Sequence, residues 1–359
     1  MEKNYDVALI VGTRPNFVKA GPLLKHLEIN NISTLFIHTG QHFDEKLSKD
    51  IFDDLNIRLP DVNLETPVLN SEEQIRFIVN KLCNIFKENK IASVGVFGDV
   101  TSTLAGALAA KKSKCLLFHV EAGLRSNNLN MPEERNRIIV DSISDILFTP
   151  SEDAVENLIR EGVGKEKIFN VGNIMIDTLK NNYQKIENNV EKIKEKLNLQ
   201  KKYFVLTLHR PSNMSEIKLK NIFSAIYETS NQYDVVLPAH PRLKLFLKDS
   251  YIDNHNIKLI DPLAYIDFLS LVKGSKLVLT DSGGLQEETS YLGVKCLTLR
   301  EETERPITVT EGTNKIIGTS QNVIINEINN ALDTSISKEI KIKFWDGNTS
   351  NRIFDVLFN

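Results

Sequence analysis

Val7-Ala8-Leu9-Ile10-Val11 runs directly into Gly12-Thr13-Arg14-Pro15-Asn16-Phe17-Val18-Lys19, and this stretch decides the fold. Five consecutive apolar residues fit a short strand buried on both faces. Gly12 permits a tight turn, and Pro15 suits the first helical position. The helix N-terminus then faces whatever lies above the sheet. Arg14 and Lys19 bring two cations to that point, which suits a diphosphate; the alternative is an ordinary strand–helix turn with surface cations.

Outward from this unit the pattern repeats. Further strands are expected at Thr34–His38, Ser93–Phe97, Cys115–His119 and Asp145–Phe148. Helical patterns lie near Pro15–Leu27, Asp44–Leu55, Ser71–Lys87, Ser102–Lys111, Pro132–Ser142 and Ser151–Glu161. Such alternation implies a parallel sheet covered on both faces. Residues 181–202, rich in charge and Asn, interrupt it, with Ile186, Val190, Ile193 and Leu197 at the spacing of a solvated helix. Strands then resume at Phe204–Leu208, Val235–Pro238, Lys258–Ile260, Lys276–Leu279 and Lys295–Thr298. The expected architecture is therefore two Rossmann-like α/β domains, 1–173 and 174–359. The last helix, 349–358, is expected to pack back on the first domain.

Composition fits this reading. The 359 residues are 41% apolar and 25% charged, which suits two globular domains. No apolar run approaches the ~18 residues of a membrane span. The first residues enter a strand without a signal peptide's long apolar region, so the chain is read as made and kept in the cytosol. Cys83, Cys115 and Cys296 are scattered through apolar segments and suit buried hydrophobes, not a disulfide framework or zinc site. A net charge of −3 argues against nucleic acid as a partner.

Doubly wound sheets bind ligands at the carboxyl ends of their strands. Gly98-Asp99 and His119-Val120-Glu121 place carboxylates there, and Met131-Pro132-Glu133-Glu134-Arg135-Asn136-Arg137 opens a helix nearby. Glu133 and Glu134 alone would fit the acidic bias of a first helical turn; convergence with Asp99 and Glu121 favours proton transfer. In the second half, His209-Arg210-Pro211-Ser212-Asn213 and Ala239-His240-Pro241-Arg242 follow strands and resemble a binding wall. Asp281-Ser282-Gly283-Gly284 exposes backbone N–H groups at a helix start, suited to phosphate. Glu288, one turn inside, can accept two ribose hydroxyls, and Arg305 adds a cation. Neither G-x-G-x-x-G nor G-x-x-x-x-G-K-[ST] occurs, so no NAD cradle is visible.

In order and spacing, GTRPNFVKAGPL, GQHFD, GDVTSTLAGALAA, HVEAGLRS, MPEERNR, HRPSN, DSGGLQEE and TERP resemble the non-hydrolysing UDP-N-acetylglucosamine 2-epimerases over nearly the whole chain. The resemblance implies a glycosyltransferase-B-like architecture with the active site between the domains. It implies a homodimer, a UDP-sugar substrate, and no redox cofactor or essential metal. It implies anti elimination of UDP to a 2-acetamidoglucal and re-addition with carbon 2 inverted, in supply of surface polysaccharide or glycan precursors. Asp99, Glu121, Glu133 and His209 would be the acid/base residues. Arg14, Lys19, Arg137, His240, Ser282, Gly283, Gly284, Glu288 and Arg305 would hold the substrate, with Phe268 beside the uracil. Asn16 stands where the family often has Glu. Gln41, His42 and Arg210 would belong to a second, activating substrate site, in which Asp44 replaces a typical Gln.

A hydrolysing epimerase, a 2-epimerase of a related sugar such as UDP-2,3-diacetamido-glucuronic acid, and a glycosyltransferase share this architecture. A non-catalytic nucleotide-sugar sensor would keep the loop around Ser282, but would not need Asp99, Glu121 and Glu133 together.

Overall fold

The structure is a computed structural model that describes residues 3–41, 51–230, 233–247, 251, 256–334 and 340–359. The chain divides into two compact units, Met1–Asn181 with Lys343–Asn359, and Asn182–Ile342. The division falls inside one long helix, Ile174–Lys196, whose first residue is also the expected start of the second domain.

The first unit is built on a seven-stranded parallel sheet, in the order β3-β2-β1-β4-β5-β6-β7. Its strands are β1 (Lys3–Val11), β2 (Thr34–His38), β3 (Val62–Asn63), β4 (Asn89–Phe97), β5 (Leu116–Val120), β6 (Ile146–Thr149) and β7 (Ile168–Asn170). The second unit holds a six-stranded parallel sheet, β10-β9-β8-β11-β12-β13. These are β8 (Tyr203–Thr207), β9 (Asp234–Pro238), β10 (Ile257–Ile260), β11 (Leu277–Thr280), β12 (Cys296–Thr298) and β13 (Asn314–Ile316). Residues 7–11 of β1 and all of β8 are buried, as expected of strands covered on both faces. Strand order reverses between β1 and β4 in one sheet, and between β8 and β11 in the other. Loops leaving those pairs flank the crevice where doubly wound sheets take ligands.

The helices that matter most are α1 (Arg14–Ile29), α2 (Ser71–Glu88), α3 (Thr101–Lys112), α4 (Pro132–Ile143), α5 (Glu152–Arg160) and α6 (Ile174–Lys196). In the second unit α7 (Glu216–Thr229), α8 (Tyr265–Gly274), α9 (Gly283–Leu292) and α10 (Gln321–Asp333) cover the sheet. Of the helix expected at Asp44–Leu55, residues 51–55 are helical and 44–50 lie outside the described residues. Helix α6 begins well before the charged segment read from sequence, and it buries Ile186 and Ile193. Among the described residues no helix is long and apolar enough to cross a membrane. All three cysteines are buried and unbridged.

Two contacts fix elements around α1. Pro22 lies inside that helix and has no N–H to donate to the Val18 carbonyl. The Thr178 hydroxyl of α6 donates to it instead, at 2.6 Å. The terminal helix α11 (Thr349–Phe358) belongs to the first unit. Its N-terminus is capped by buried Asp177, which accepts from Thr349 N (3.0 Å), Ser350 N (2.7 Å) and Ser350 Oγ (2.8 Å). Phe354 meets His26 of α1 edge to face, with centroids 4.9 Å apart.

His38, at the end of β2, is buried against the Phe17 ring. Burial pushes its imidazole down to about 4, against a backbone hydrogen bond with Gly12 that acts to raise it. A folded value below the unfolded one means stability is fully present above about 6.5 and is lost as pH falls toward 4. The expected loss across that window is up to ~3 kcal/mol. Urea melts of wild type and His38→Gln between pH 7 and 4.5 check it: the variant should lose stability with a visibly shallower slope.

Candidate active site

The candidate site residues of the first unit gather at the β1–β4–β5 edge. Gly12 does not take a left-handed φ. It is glycine because a Cβ there would land inside the Ser102 hydroxymethyl group. The turn itself is closed by Asn16. Its Oδ1 accepts from Gly12 N (3.1 Å), Thr13 N (3.2 Å) and Thr13 Oγ1 (3.2 Å), and its Nδ2 donates to the Phe97 carbonyl at the end of β4 (3.0 Å). A carboxylate could not make the last bond. Arg14 is half-buried at the start of α1, and Lys19, a turn later, is buried.

Asp99 and Glu121 follow neighbouring parallel strands, paired through Phe97 and Val120. Glu121 is buried and its carboxylate forms an ion pair with the Lys19 ammonium. Its backbone sits at φ 74°, a strained region for a residue with a Cβ. Glu121 N and Ala122 N hold it there by donating to the Phe148 carbonyl, each at 3.0 Å. Asp99, partly open to solvent, pairs with Arg137, which is fully buried and also bonds Glu134 at 2.5 Å.

The two acidic residues that open α4 part company. Glu134 is buried and accepts from Ser126 N, Ser126 Oγ, Asn127 N and Arg137, so it anchors the loop after Glu121. Glu133 is half-buried, and its side chain makes no hydrogen bond or ion pair among the described residues. Gln41 Oε1 accepts from Ser102 N (3.0 Å) and Ser102 Oγ (2.6 Å), bonding into the first turn of α3. Neither Thr101 nor Ser102 caps that helix, which begins at Thr101. His42 and Asp44 lie outside the described residues.

In the second unit, buried Asp281 organises the loop after β8. It accepts from His209 N (2.8 Å), Arg210 N (3.0 Å) and Asn213 Nδ2 (3.1 Å). His209 and His240 are exposed, and Phe268 is half-buried against the apolar cluster beneath α8. Ser282 is the N-cap residue of α9, with Gly283 and Gly284 forming the first helical positions. A Cβ on Gly283 would collide with the guanidinium of Arg305. Arg305 is itself buried, bonding Glu304 (2.6 Å) and Glu287 (2.9 Å). Glu304 also holds Arg300 at 2.8 Å and Arg210 at 3.3 Å. Burial acts to raise the Glu304 carboxyl, but Arg305, then Arg300 and Arg210, outweigh it and hold it well below the usual carboxylate range. Glu288 is buried and accepts from the Tyr265 hydroxyl at 3.1 Å through one of its oxygens.

Two further buried residues, His119 and Asp141, are not among the expected site residues. His119 is fully buried in β5; its Nε2 lies 2.7 Å from the Gly98 carbonyl and its Nδ1 lies 2.7 Å from Asp141 Oδ1. Asp141 Oδ2 accepts from Gly123 N at 3.0 Å and meets Arg125 at 2.8 Å. Arg125 in turn bonds Glu161 through two nitrogens, each at 2.7 Å. The one available signal was Asp141 at the buried spacing of α4, four residues beyond Arg137.

Two parallel α/β units, each with its polar loops at the reversal of strand order, define an enzyme scaffold of the glycosyltransferase-B-like class. A family model described as UDP-N-acetylglucosamine 2-epimerase matches residues 25–358. The chain belongs to that family and is an epimerase. It is 40% identical to the UDP-N-acetylglucosamine 2-epimerase of Methanocaldococcus jannaschii, over 98% of both chains. A crystal structure of that archaeal protein in complex with UDP-GlcNAc and UDP is similar at a TM-score of 0.91 and 40% identity, covering 98% of this chain and 99% of the other. The chain is also 36% identical to the UDP-2,3-diacetamido-2,3-dideoxy-D-glucuronate 2-epimerase of Pseudomonas aeruginosa, over 98% of this chain and 99% of that one.

Proposed function

We propose that this protein interconverts UDP-N-acetylglucosamine and UDP-N-acetylmannosamine by eliminating UDP and adding it back, without releasing free sugar. The observation that carries the reading is the pair of carboxylates after neighbouring strands, Asp99 and Glu121, each matched to its own cation. The hydrogen on carbon 2 of the sugar is not next to a ring carbonyl and is only weakly acidic. It leaves as a proton to a carboxylate while the bond from carbon 1 to the UDP oxygen breaks. The C–H electron pair becomes the carbon 1–carbon 2 double bond, and the UDP departs with the pair of the C–O bond. Return of a proton to the opposite face of carbon 2, with UDP oxygen re-adding to carbon 1, completes the inversion.

Asp99, Glu121 and Glu133 are the proposed proton carriers, assisted by His209. Arg14, His240, Ser282, Gly283, Gly284, Glu288 and Arg305 are assigned to the UDP, whose leaving charge needs fixed donors. Phe268 is assigned to the uracil and Arg137 to the pocket wall. Lys19, paired with Glu121, is assigned first to that carboxylate and through it to the sugar side. The relative named for a diacetamido-glucuronate favours one second reading, the same inversion on a UDP-sugar carrying a carboxylate.

The test is NMR of the purified protein with UDP-N-acetylglucosamine in deuterated water. Deuterium at carbon 2 and a stable mixture of two UDP-sugars are expected. Free N-acetylmannosamine would move the enzyme to the hydrolysing branch. No change with this substrate, but inversion of the diacetamido-glucuronate sugar, would establish the second reading.

A further inference from the structure

We infer that His119 and Asp141 form a buried positioning pair that sets the relative placement of the three segments bearing Asp99, Glu121 and Glu133. The inference rests on the proposed roles of those carboxylates.

A carbonyl oxygen only accepts, so the His119 Nε2–H donates to Gly98 O, one residue before Asp99. Asp141 Oδ2 accepts from Gly123 N, two residues after Glu121. Asp141 itself stands on α4, the helix opened by Glu133. One imidazole and one carboxylate therefore tie β4, the loop after β5, and α4 to a common point. Burial acts to raise the Asp141 carboxyl, but His119 and then Arg125 outweigh it and hold it below the usual range. An ionised carboxylate is an acceptor at every lone pair, which suits the Gly123 amide and the Arg125 guanidinium beside it.

The alternative is a core histidine that is merely satisfied, contributing stability alone. Three features favour positioning. The tie at Gly98 goes to the residue beside Asp99, with no side chain between. The tie at Gly123 closes the turn in which Glu121 holds its left-handed φ. Arg125 keeps its two bonds to Glu161 independently, so the fold has another anchor at this point. An ångström of drift in either strand end would misplace a proton-transfer group, and such drift costs rate far more than binding.

His119→Gln keeps a donor for Gly98 O while losing the link to Asp141, and Asp141→Asn keeps the shape while losing the charge. Turnover should fall roughly 30- to 300-fold in each. KM for the UDP-sugar and the affinity for UDP alone, measured by calorimetry, should stay within about threefold. If wild type epimerises and both folded variants turn over within threefold of it, the positioning role is overturned. Parallel losses of UDP affinity and turnover would likewise overturn it, pointing to general destabilisation. A wild type that leaves carbon 2 undeuterated would instead defeat the proposed reaction. A second readout needs no variant: histidine-labelled wild type should show a slowly exchanging imidazole N–H proton coupled to His119 Nε2. Exchange as fast as that of a surface histidine would defeat the inference even if the variants fail to fold.

Discussion

Glu121→Gln is expected to lower turnover by roughly 10²–10⁴-fold, with UDP still bound. Glutamine reproduces the shape of the side chain and can still accept from Lys19, but it cannot take up a proton. The charge lost from a buried ion pair also lowers stability, because an ammonium left without its partner is costly. Thermal melts must therefore accompany the kinetics. Asp99→Asn separates the two effects, since that carboxylate is partly solvated and its loss should cost less stability for a comparable loss of rate. Turnover near wild type in both variants would remove these residues from the proton transfers.

The second large effect is expected at Glu304. Glu304→Ala leaves Arg300, Arg305 and Arg210 without the carboxylate that joins them, three cations facing one another largely out of water. Removing one member of such a buried network typically costs about 3–5 kcal/mol. Urea denaturation should show a loss in that range. Glu304→Gln should keep most of the packing while losing the charge, and it should still be markedly less stable than wild type. The acid response has a definite sign. The folded carboxyl lies below its ordinary value, so its contribution is present above about pH 4.5 and is lost as pH falls toward the folded value. Wild type should therefore lose this stabilisation on acidification, and the variant should have none to lose. UDP affinity should fall too, because Arg305 loses one of the two carboxylates that fix its guanidinium beside Gly283.

Much of the fold was legible because strand burial on both faces leaves continuous apolar runs. Thr34–His38 matches its expected bounds, and most other strands shift by a residue or two. The strands passed over, β3, β7 and β13, are two or three residues long, and each has a half-exposed or exposed position. Such edge segments carry too few side chains to show a period. Candidate carboxylates were visible because strand ends are marked by the runs before them. Their electrostatic partners were not, since Arg137 reaching Asp99 and Lys19 reaching Glu121 are contacts between distant stretches. Glu133 and Glu134 show the same limit: neighbours in sequence, one anchors a loop and the other has no side-chain partner among the described residues. His119 was hidden in plain view, because a histidine inside an apolar strand looks the same whether it fills space or holds a turn.

Pro22 and Thr178 show how an irregularity in one helix can make one position depend on another. Giving residue 22 an N–H would return the Val18 carbonyl to its own helix and make the threonine hydroxyl redundant. Removing that hydroxyl while the proline remains would leave the carbonyl with nothing to accept. The dependence therefore runs one way: loss of the hydroxyl should be tolerated only once residue 22 can donate, whereas exchange of Pro22 alone leaves the carbonyl satisfied.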